Sequence, residues 1–519
     1  MEPTVEQRMR ALLHYVPTGT TEGEGVILQE AFVQANEYAE IITPPSGSPR
    51  LLIGKKGSGK SAILKFSLDV FHQAGVPALL VKPLDLELEG MPDGASVGEL
   101  TRIAYRAIVK AVAQNIGAQL GGFVTGENEV LYREALQSGE RDLDFLGKVS
   151  RLLSALSKPV AGVDLTRVLP TEDKATVVRL ERAIKDNASQ SSAAFYVFID
   201  DTDQVASPGT KGHLNRIWAF LLAARELTQR VPEVRCVVTF RDEVWRELST
   251  EKAGQRDQWD HFLRLVHYLN PTLDHIQDIF EKRLVLAAQK CGIEGQRAKY
   301  PLFFEGDRPR MPTSQKRSSW PDLIRSRSRE RPRDAIHLLN MLATAAVKPP
   351  VSRITDDMFE SVMPQYSSER AKLLAEEFER ECPALPEILR SLATLEYKYG
   401  AFLADSEAIR KHLLTLPSAF TIKLNGKILR PDAGGWIFEL WSFMYTVGIF
   451  YPRVSDSRMP KGFRFIVPAD DPAFVSQARW NEMQKALWEV HPAYRDYLIE
   501  VQKDDAARFG LPSKRKKKR

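Results

Sequence analysis

The eight residues Gly54-Lys55-Lys56-Gly57-Ser58-Gly59-Lys60-Ser61 constrain this chain more than any other feature. They follow the pattern G-x-x-x-x-G-K-[ST]. The apolar run Leu51-Leu52-Ile53 precedes them, and Ala62-Ile63-Leu64-Lys65-Phe66 continues as a helix. A short buried strand, a glycine loop and a helix in that order make a cradle for phosphate. The glycines let backbone N–H groups turn inward around phosphate oxygens. Lys60 can reach β- and γ-phosphates, and the Ser61 hydroxyl can ligate Mg2+. The helix starting at Gly59 directs its positive end at the same charge. The expected nucleotide-binding set is Gly54, Lys55, Lys56, Gly57, Ser58, Gly59, Lys60, Ser61 and Ala62.

Further short apolar runs extend this start into a sheet. Ala78–Val81, Phe195–Ile199, Cys236–Phe240 and Leu263–Leu269 are rich in β-branched and aromatic residues and are separated by helix-like sequence. Strands alternating with helices predict an α/β domain with a mainly parallel sheet. More than a hundred residues separate the second and third runs. Helical patterns at Val97–Ile116, Glu127–Gln137 and Asp142–Leu156 mark this interval as a helical insertion. No repeat of fixed period is present.

Composition excludes several classes. Apolar residues are 43% and charged residues 27%, values of a globular chain with a real core. The longest apolar run, Ala193–Ile199, is far short of the roughly 18 residues that would suggest a membrane span. No secretory h-region is readable at the N-terminus. The three cysteines, Cys236, Cys291 and Cys382, are far apart, which points to a reduced, cytoplasmic setting. The net charge of +5 is concentrated: Lys514–Arg519 are six basic residues in a row, so the body is close to neutral. Basic residues also crowd the stretch from Arg308 to Arg333, which reads as an exposed Pro/Ser/Arg-rich loop. Loop and tail are the candidate contacts for nucleic acid; the bland reading is a solvated loop and a solubilising tail.

The five apolar residues Phe195–Ile199 lead into Asp200-Asp201, which places Asp200 at the carboxyl edge of the sheet, where it can hold Mg2+ through water. Asp203 is a further acid at that edge. The alternative is a strand ending in a solvated acidic turn. Near the middle of the C-terminal third, the apolar helix Trp436–Tyr445, the run Gly448–Tyr451, the polar loop Ser455–Lys461 and Phe463–Val467 suggest a winged-helix unit within a mostly helical region.

Taken together, the glycine loop, Phe198-Ile199-Asp200-Asp201-Thr202-Asp203-Gln204, Val237–Trp245, the stretch Asp274–Leu286, Arg331-Pro332-Arg333-Asp334 and Tyr366–Arg370 resemble AAA+/STAND-like P-loop ATPases of the type found in bacterial antiphage defence and mobile-element loci. The resemblance spans about Gln29 to Arg380. It implies ATP as ligand, Mg2+, a helical lid, a homo-oligomer and a separate effector or partner protein. It implies that Asp201 orients the attacking water, although many relatives carry Glu there. Thr239 and Arg241 become candidates to sense the γ-phosphate; the competing reading pairs Arg241 with Asp242 or Glu243. Arg331 and Arg333, at the start of a lid helix, would reach back to the nucleotide; the competing reading is a solvated helix start. The catalytic set is then Lys60, Asp201 and Arg241, with Ser61 and Asp200 on the metal.

The expected organisation is an N-terminal segment at 1–28, a P-loop core at 29–295 with the insertion at about 95–190, and a basic linker at 296–330. A helical lid at 331–380, a helical or winged-helix-like domain at 381–505 and a basic tail at 506–519 follow. Two readings of function compete. One is an ATP-hydrolysing switch or motor acting on nucleic acid or a partner, in defence against foreign DNA. The other is a slow-turnover, nucleotide-dependent signalling scaffold. A small-molecule kinase fits least, because such kinases rarely need a lid followed by a further domain.

Overall fold

The computed structural model describes residues 4–17, 23–86, 92, 94–120, 127–138, 177–190, 194–205, 212–250, 261–293, 299–312, 314, 316–347, 353–430, 435–459 and 462–509. The expected helix at Asp142–Leu156 and the basic tail Lys514–Arg519 lie outside these residues. The chain divides into two compact units, Leu28–Leu269 and a discontinuous one made of Met1–Ile27 and Asn270–Arg519.

Leu28–Leu269 holds five parallel strands, β1 (Arg50–Gly54), β2 (Ala78–Val81), β3 (Phe195–Ile199), β4 (Val234–Arg241) and β5 (Val266–Tyr268). Their order is β2-β3-β4-β1-β5, the open parallel sheet of a P-loop-type α/β fold. The register sets Leu51 beside Val238, and Ile199 beside the same Val238. Alternation along each strand feeds two cores. Leu51, Ile53, Val197, Ile199 and Val238 pack with the helices Val97–Gln119 and His213–Arg230 on one face. Leu52, Phe198 and Val237 pack with Ile63 and Leu64 of the helix Lys60–Gln73 on the other. Strands buried on both faces read as continuous apolar runs, which is why β1, β3 and β4 stand out in sequence.

The insertion between β2 and β3 contains the helices Val97–Gln119, Glu127–Gln137 and Val177–Gln190. It is no appendage: Ala104, Ile108 and Val112 share a core with the sheet.

In the discontinuous unit, the helix Val5–Tyr15 packs with Leu273–Lys290 and Pro332–Val347. Met9 and Leu12 meet Ile276, Phe280, Leu284, Leu339 and Leu342 in one core. Arg283 donates to Tyr15 O at 2.7 Å and pairs with Glu24 at 2.8 Å, and Asn340 donates to Val16 O. Two expected boundaries therefore change. The N-terminal segment belongs to this helical body, and the P-loop core expected at 29–295 ends at Leu269. The reason is the apolar stripe of Leu273–Lys290, which is satisfied by Val5–Tyr15 rather than by the sheet.

The helix Asp356–Glu377 leads into a second sheet of β6 (Glu396–Lys398), β7 (Ala401–Asp405), β10 (Phe450–Ser455), β11 (Phe463–Phe465) and β12 (Leu487–Val490). The sheet is antiparallel, in the order β11-β10-β12-β7-β6, beside the small hairpin of β8 (Lys423–Leu424) and β9 (Lys427–Ile428). Trp441 of the helix Trp436–Thr446 and Trp488 of β12 anchor its core, with ring centroids 4.9 Å apart. The helix, strand and strand expected from Trp436 to Val467 are present as Trp436–Thr446, β10 and β11. The surrounding sheet was not anticipated.

The basic linker is corrected most. It contains the helices Lys299–Phe303 and Trp320–Arg325, and Trp320, Arg327, Arg329 and Arg331 are all buried. Arg308, Lys316 and Arg317 are exposed, as expected of a loop. Arg310 and Arg325 are half-buried, so the stretch is neither a uniform loop nor uniformly solvated.

Candidate nucleotide-binding site

The glycine loop runs from the end of β1 into the helix Lys60–Gln73. Gly59 caps that helix at φ +107°, in the left-handed region that glycine tolerates at least cost. A Cβ on Gly54 would lie 2.8 Å from Ser58 Oγ and 2.9 Å from Leu269 O, so only glycine fits between the loop and the residue that follows β5. The Ser58 hydroxyl is buried and has no hydrogen-bond partner. Such an orphaned buried polar atom is unusual, and its place inside the loop fits a phosphate oxygen as the missing partner.

Lys60 Nζ donates to Gly54 O at 2.7 Å and to Lys55 O at 3.2 Å. Burial lowers the pKa of this ammonium, and Glu243, Asp200 and Asp203 counter it. The loop thus concentrates positive charge beside a group of acids. Ser61 follows in the first helical turn, half-buried, and Ala62 continues the helix. Lys55 and Lys56 lie on the loop itself.

The acidic edge is cross-braced. Asp200 is 2% exposed, and its Oδ1 accepts from Thr239 Oγ1 of β4 at 2.6 Å. Thr202 Oγ1 in turn donates to Thr239 O at 2.6 Å. This fixes one face of the Asp200 carboxylate. Asp201 turns away at φ +52°, a conformation that costs a non-glycine residue about 1 kcal/mol. Its carboxylate pairs with Lys82, just past β2, at 3.0 Å. Asp203 pairs with Arg241 at 3.1 Å. Burial raises the pKa of Asp203, and Arg241 opposes the rise.

Lys60, Asp200, Asp203, Arg241 and Glu243 are thus within electrostatic reach of one another. Two candidates have different partners from those expected. Thr239 spends its hydroxyl on Asp200, which makes it a brace of the metal-type carboxylate rather than a free sensor. Arg241 pairs with neither Asp242 nor Glu243 but with Asp203 across the strand ends. Sequence reasoning missed Lys82. Its signal was its place one residue past an apolar run, which points to Asp201 only once β2 is known to neighbour β3.

Arg331 is also corrected. Both of its Nη groups are spent on Glu377, at 2.8 and 3.0 Å, in a fork-to-fork pair whose side chains are 7% and 4% exposed. A guanidinium so committed is a structural cation of its own unit and not the nucleotide-reaching group expected. Arg333, half-buried on the helix Pro332–Val347, stands apart from this pair.

No curated protein matches the chain. The family described as FunZ-associated C-terminal helical domain matches residues 274–375, which begin in the helix Leu273–Lys290 and end in Asp356–Glu377. Solved structures are similar at low identity. The Aeropyrum pernix ORC2 protein in its ADPNP–ADP complexes is 13% identical, covers 95% of each chain and has a TM-score of 0.41. The Aeropyrum pernix ORC1 protein in complex with DNA is 15% identical, over 96% of this chain and 97% of that one, with a TM-score of 0.28. Drosophila ORC bound to DNA is 10% identical, over 87% and 90%, with a TM-score of 0.31. Overlaps this loose transfer no residue roles to this chain.

Proposed function

We propose that the chain is a Mg2+-dependent ATPase whose nucleotide cycle acts as a switch on nucleic acid or a partner protein. The observation that carries this is the buried, unpartnered Ser58 hydroxyl inside a loop whose lysine faces the acidic ends of β3 and β4. In this reading the loop from Gly54 to Ser61 holds the phosphates, and Lys60 leaves its own carbonyls to pair with them. Ser61, and Asp200 through water, would hold Mg2+, which would screen phosphate charge. Asp201 orients the attacking water, and Arg241 stabilises charge developing on the leaving phosphate. Arg333 remains the candidate for lid contact.

A slow-turnover scaffold is favoured by one specific observation. Both candidate reactive groups are already paired, Asp201 with Lys82 and Arg241 with Asp203. Each pair must open before its member can serve hydrolysis, so slow basal turnover follows. The role in antiphage defence and the homo-oligomer rest on the resemblance of the quoted motifs.

The deciding experiment is steady-state ATP hydrolysis with and without DNA, beside Lys60→Ala. Stimulation by DNA that Lys60→Ala abolishes supports the switch on nucleic acid. Negligible turnover with nucleotide retained through purification supports the scaffold. Unchanged ATP affinity in Lys60→Ala would remove the site assignment altogether.

A further inference from the structure

The turn between β6 and β7 carries a residue that neither its backbone nor its packing favours. Lys398 and Ala401 pair across the strands, so Tyr399 and Gly400 are the whole loop. Both are left-handed, at φ +55° and +81°. Two-residue turns of this kind prefer Asn-Gly, because a bulky side chain is strained at positive φ. Tyr399 gains no burial in return, for it is 76% exposed. Strained residues cluster at positions that hold ligands.

The turn is clamped from two directions. Arg495 Nη1 donates to Gly400 O at 3.3 Å. Arg495 belongs to a buried arginine hub, in which it pairs with Asp496, Arg331 pairs with Glu377, and Arg329 and Arg370 share Asp334. A Cβ on Gly400 would lie 3.1 Å from Ser314 Oγ, so the glycine lets a neighbouring segment pack tightly on the turn.

That segment, residues 307–318, is a small basic hairpin. Arg310 and Arg317 form an antiparallel bridge, Met311 N donates to Lys316 O at 2.7 Å, and Ser318 N donates to Pro309 O at 3.2 Å. Trp320 Nε1 donates to Gly306 O at 2.9 Å and pins the base. The segment has four basic residues, Arg308, Arg310, Lys316 and Arg317, against the single acid Asp307. Arg310 is committed to Asp357 at 2.8 Å. Arg308, Lys316 and Arg317 are exposed and have no carboxylate partner among the described residues. Arg317 Nη1 donates to Arg308 O at 2.9 Å, and Lys316 Nζ lies 5.3 Å from the centroid of the Tyr399 ring. Three uncommitted cations therefore share a hairpin that packs beside one open aromatic ring.

We propose that Tyr399, Arg308, Lys316 and Arg317 form a contact surface for single-stranded nucleic acid. The ring stacks on an unpaired base, and the cations neutralise backbone phosphates. A duplex keeps its bases stacked on one another and gives the ring no partner. An acidic peptide would engage the cations and leave the strained, open ring unexplained. The inference rests on the reading that nucleic acid is what the ATPase acts on, and it puts the contact in the unit that lacks the glycine loop.

The test measures binding of the full chain, without nucleotide, to labelled oligothymidylate, oligouridylate and a duplex of equal length. Fluorescence anisotropy is followed over a series of salt concentrations. The parent is expected to prefer the single strands, and the two single strands separate DNA from RNA. Tyr399→Ala should weaken single-strand binding about tenfold and duplex binding hardly at all, whereas Tyr399→Trp should keep it. Arg308→Ala, Lys316→Ala and Arg317→Ala should each reduce the salt slope by roughly 0.7. Tyr399→Asn should melt no lower than the parent yet bind as weakly as Tyr399→Ala, an outcome that a merely structural tyrosine would not give. Single-strand binding that survives both Tyr399→Ala and the triple Ala variant overturns this surface and leaves the nucleic-acid reading standing. A parent that binds none of the three oligonucleotides overturns both, with the glycine-loop assignment judged separately by ATP hydrolysis. A parent that binds polyglutamate instead, and loses it in the triple variant, makes the face a docking site for an acidic protein and overturns the proposal.

Discussion

The acidic edge of the parallel sheet and the arginine hub of the C-terminal unit are built from the same side chains and do opposite things. At the sheet edge, Lys82–Asp201 and Arg241–Asp203 are single contacts between side chains 16–35% exposed. Such pairs reach water and are inexpensive to open. In the hub, Arg331–Glu377 is bidentate and Asp334 serves two arginines, with side chains 3–7% exposed. Breaking one of these strands a charge in the interior. Exposure and multiplicity, rather than residue type, separate charges that can take part in a cycle from charges that hold a fold.

Four changes would break or sharpen this contrast. Asp334→Ala should cost the most, about 3–5 kcal/mol of stability by chemical denaturation, because it leaves Arg329 and Arg370 without their shared carboxylate. Lys60→Ala should weaken ATP binding on the order of 100-fold by calorimetry, about 3 kcal/mol, with little change in melting. Nζ donates to the loop carbonyls of Gly54 and Lys55, so the fold loses little. Equal losses of stability in the two variants would erase the distinction.

A pH titration compared between the parent and Asp334→Asn probes the hub. Burial would raise the Asp334 pKa, but Arg329, Arg370 and Arg331 overcome it and hold it at about 2, against an ordinary 3.8. A depressed carboxylate stabilises the fold above its unfolded value and loses that contribution as pH falls toward about 2. The melting temperature should therefore fall between pH 4 and pH 2, and less so in Asp334→Asn. Arg317→Ala should do least, within about 0.5 kcal/mol, since that exposed side chain donates only to Arg308 O. A large loss there would mean that exposure is a poor guide.

The legible and illegible parts of the molecule divide along similar lines. The glycine loop, β1 and the following helix were readable because their chemistry is contiguous in sequence. β2, β3 and β4 were readable because strands buried on both faces have no polar alternation to disguise them. The partners of the acidic edge were not, since Lys82, Asp201, Thr239 and Asp200 meet through strand order alone. The rest of the second sheet escaped because β6 and β12 are three and four residues long, too short for a periodic signal. The stretch from Arg325 to Asp334 misled for a different reason. Dense arginine reads as solvated, and the acids and aromatics that bury it come from Tyr366, Glu377, Tyr494 and Asp496, far along the chain.

The N-terminal helix Val5–Tyr15 carries a consequence for biosynthesis. Its packing partners begin at Leu273, and the Arg283–Tyr15 hydrogen bond spans 268 residues. A ribosome delivers this helix long before its partners. An amphipathic segment of 11 residues is marginal on its own in water. In the interval, the whole of Leu28–Leu269 emerges with its own two cores and can close around its sheet. Nascent chains halted near residue 315 should therefore contain a protease-resistant sheet unit beside a cleavable N-terminal segment. The helix becomes protected only after Pro332–Val347 has left the exit tunnel, so a segment made early is fixed late.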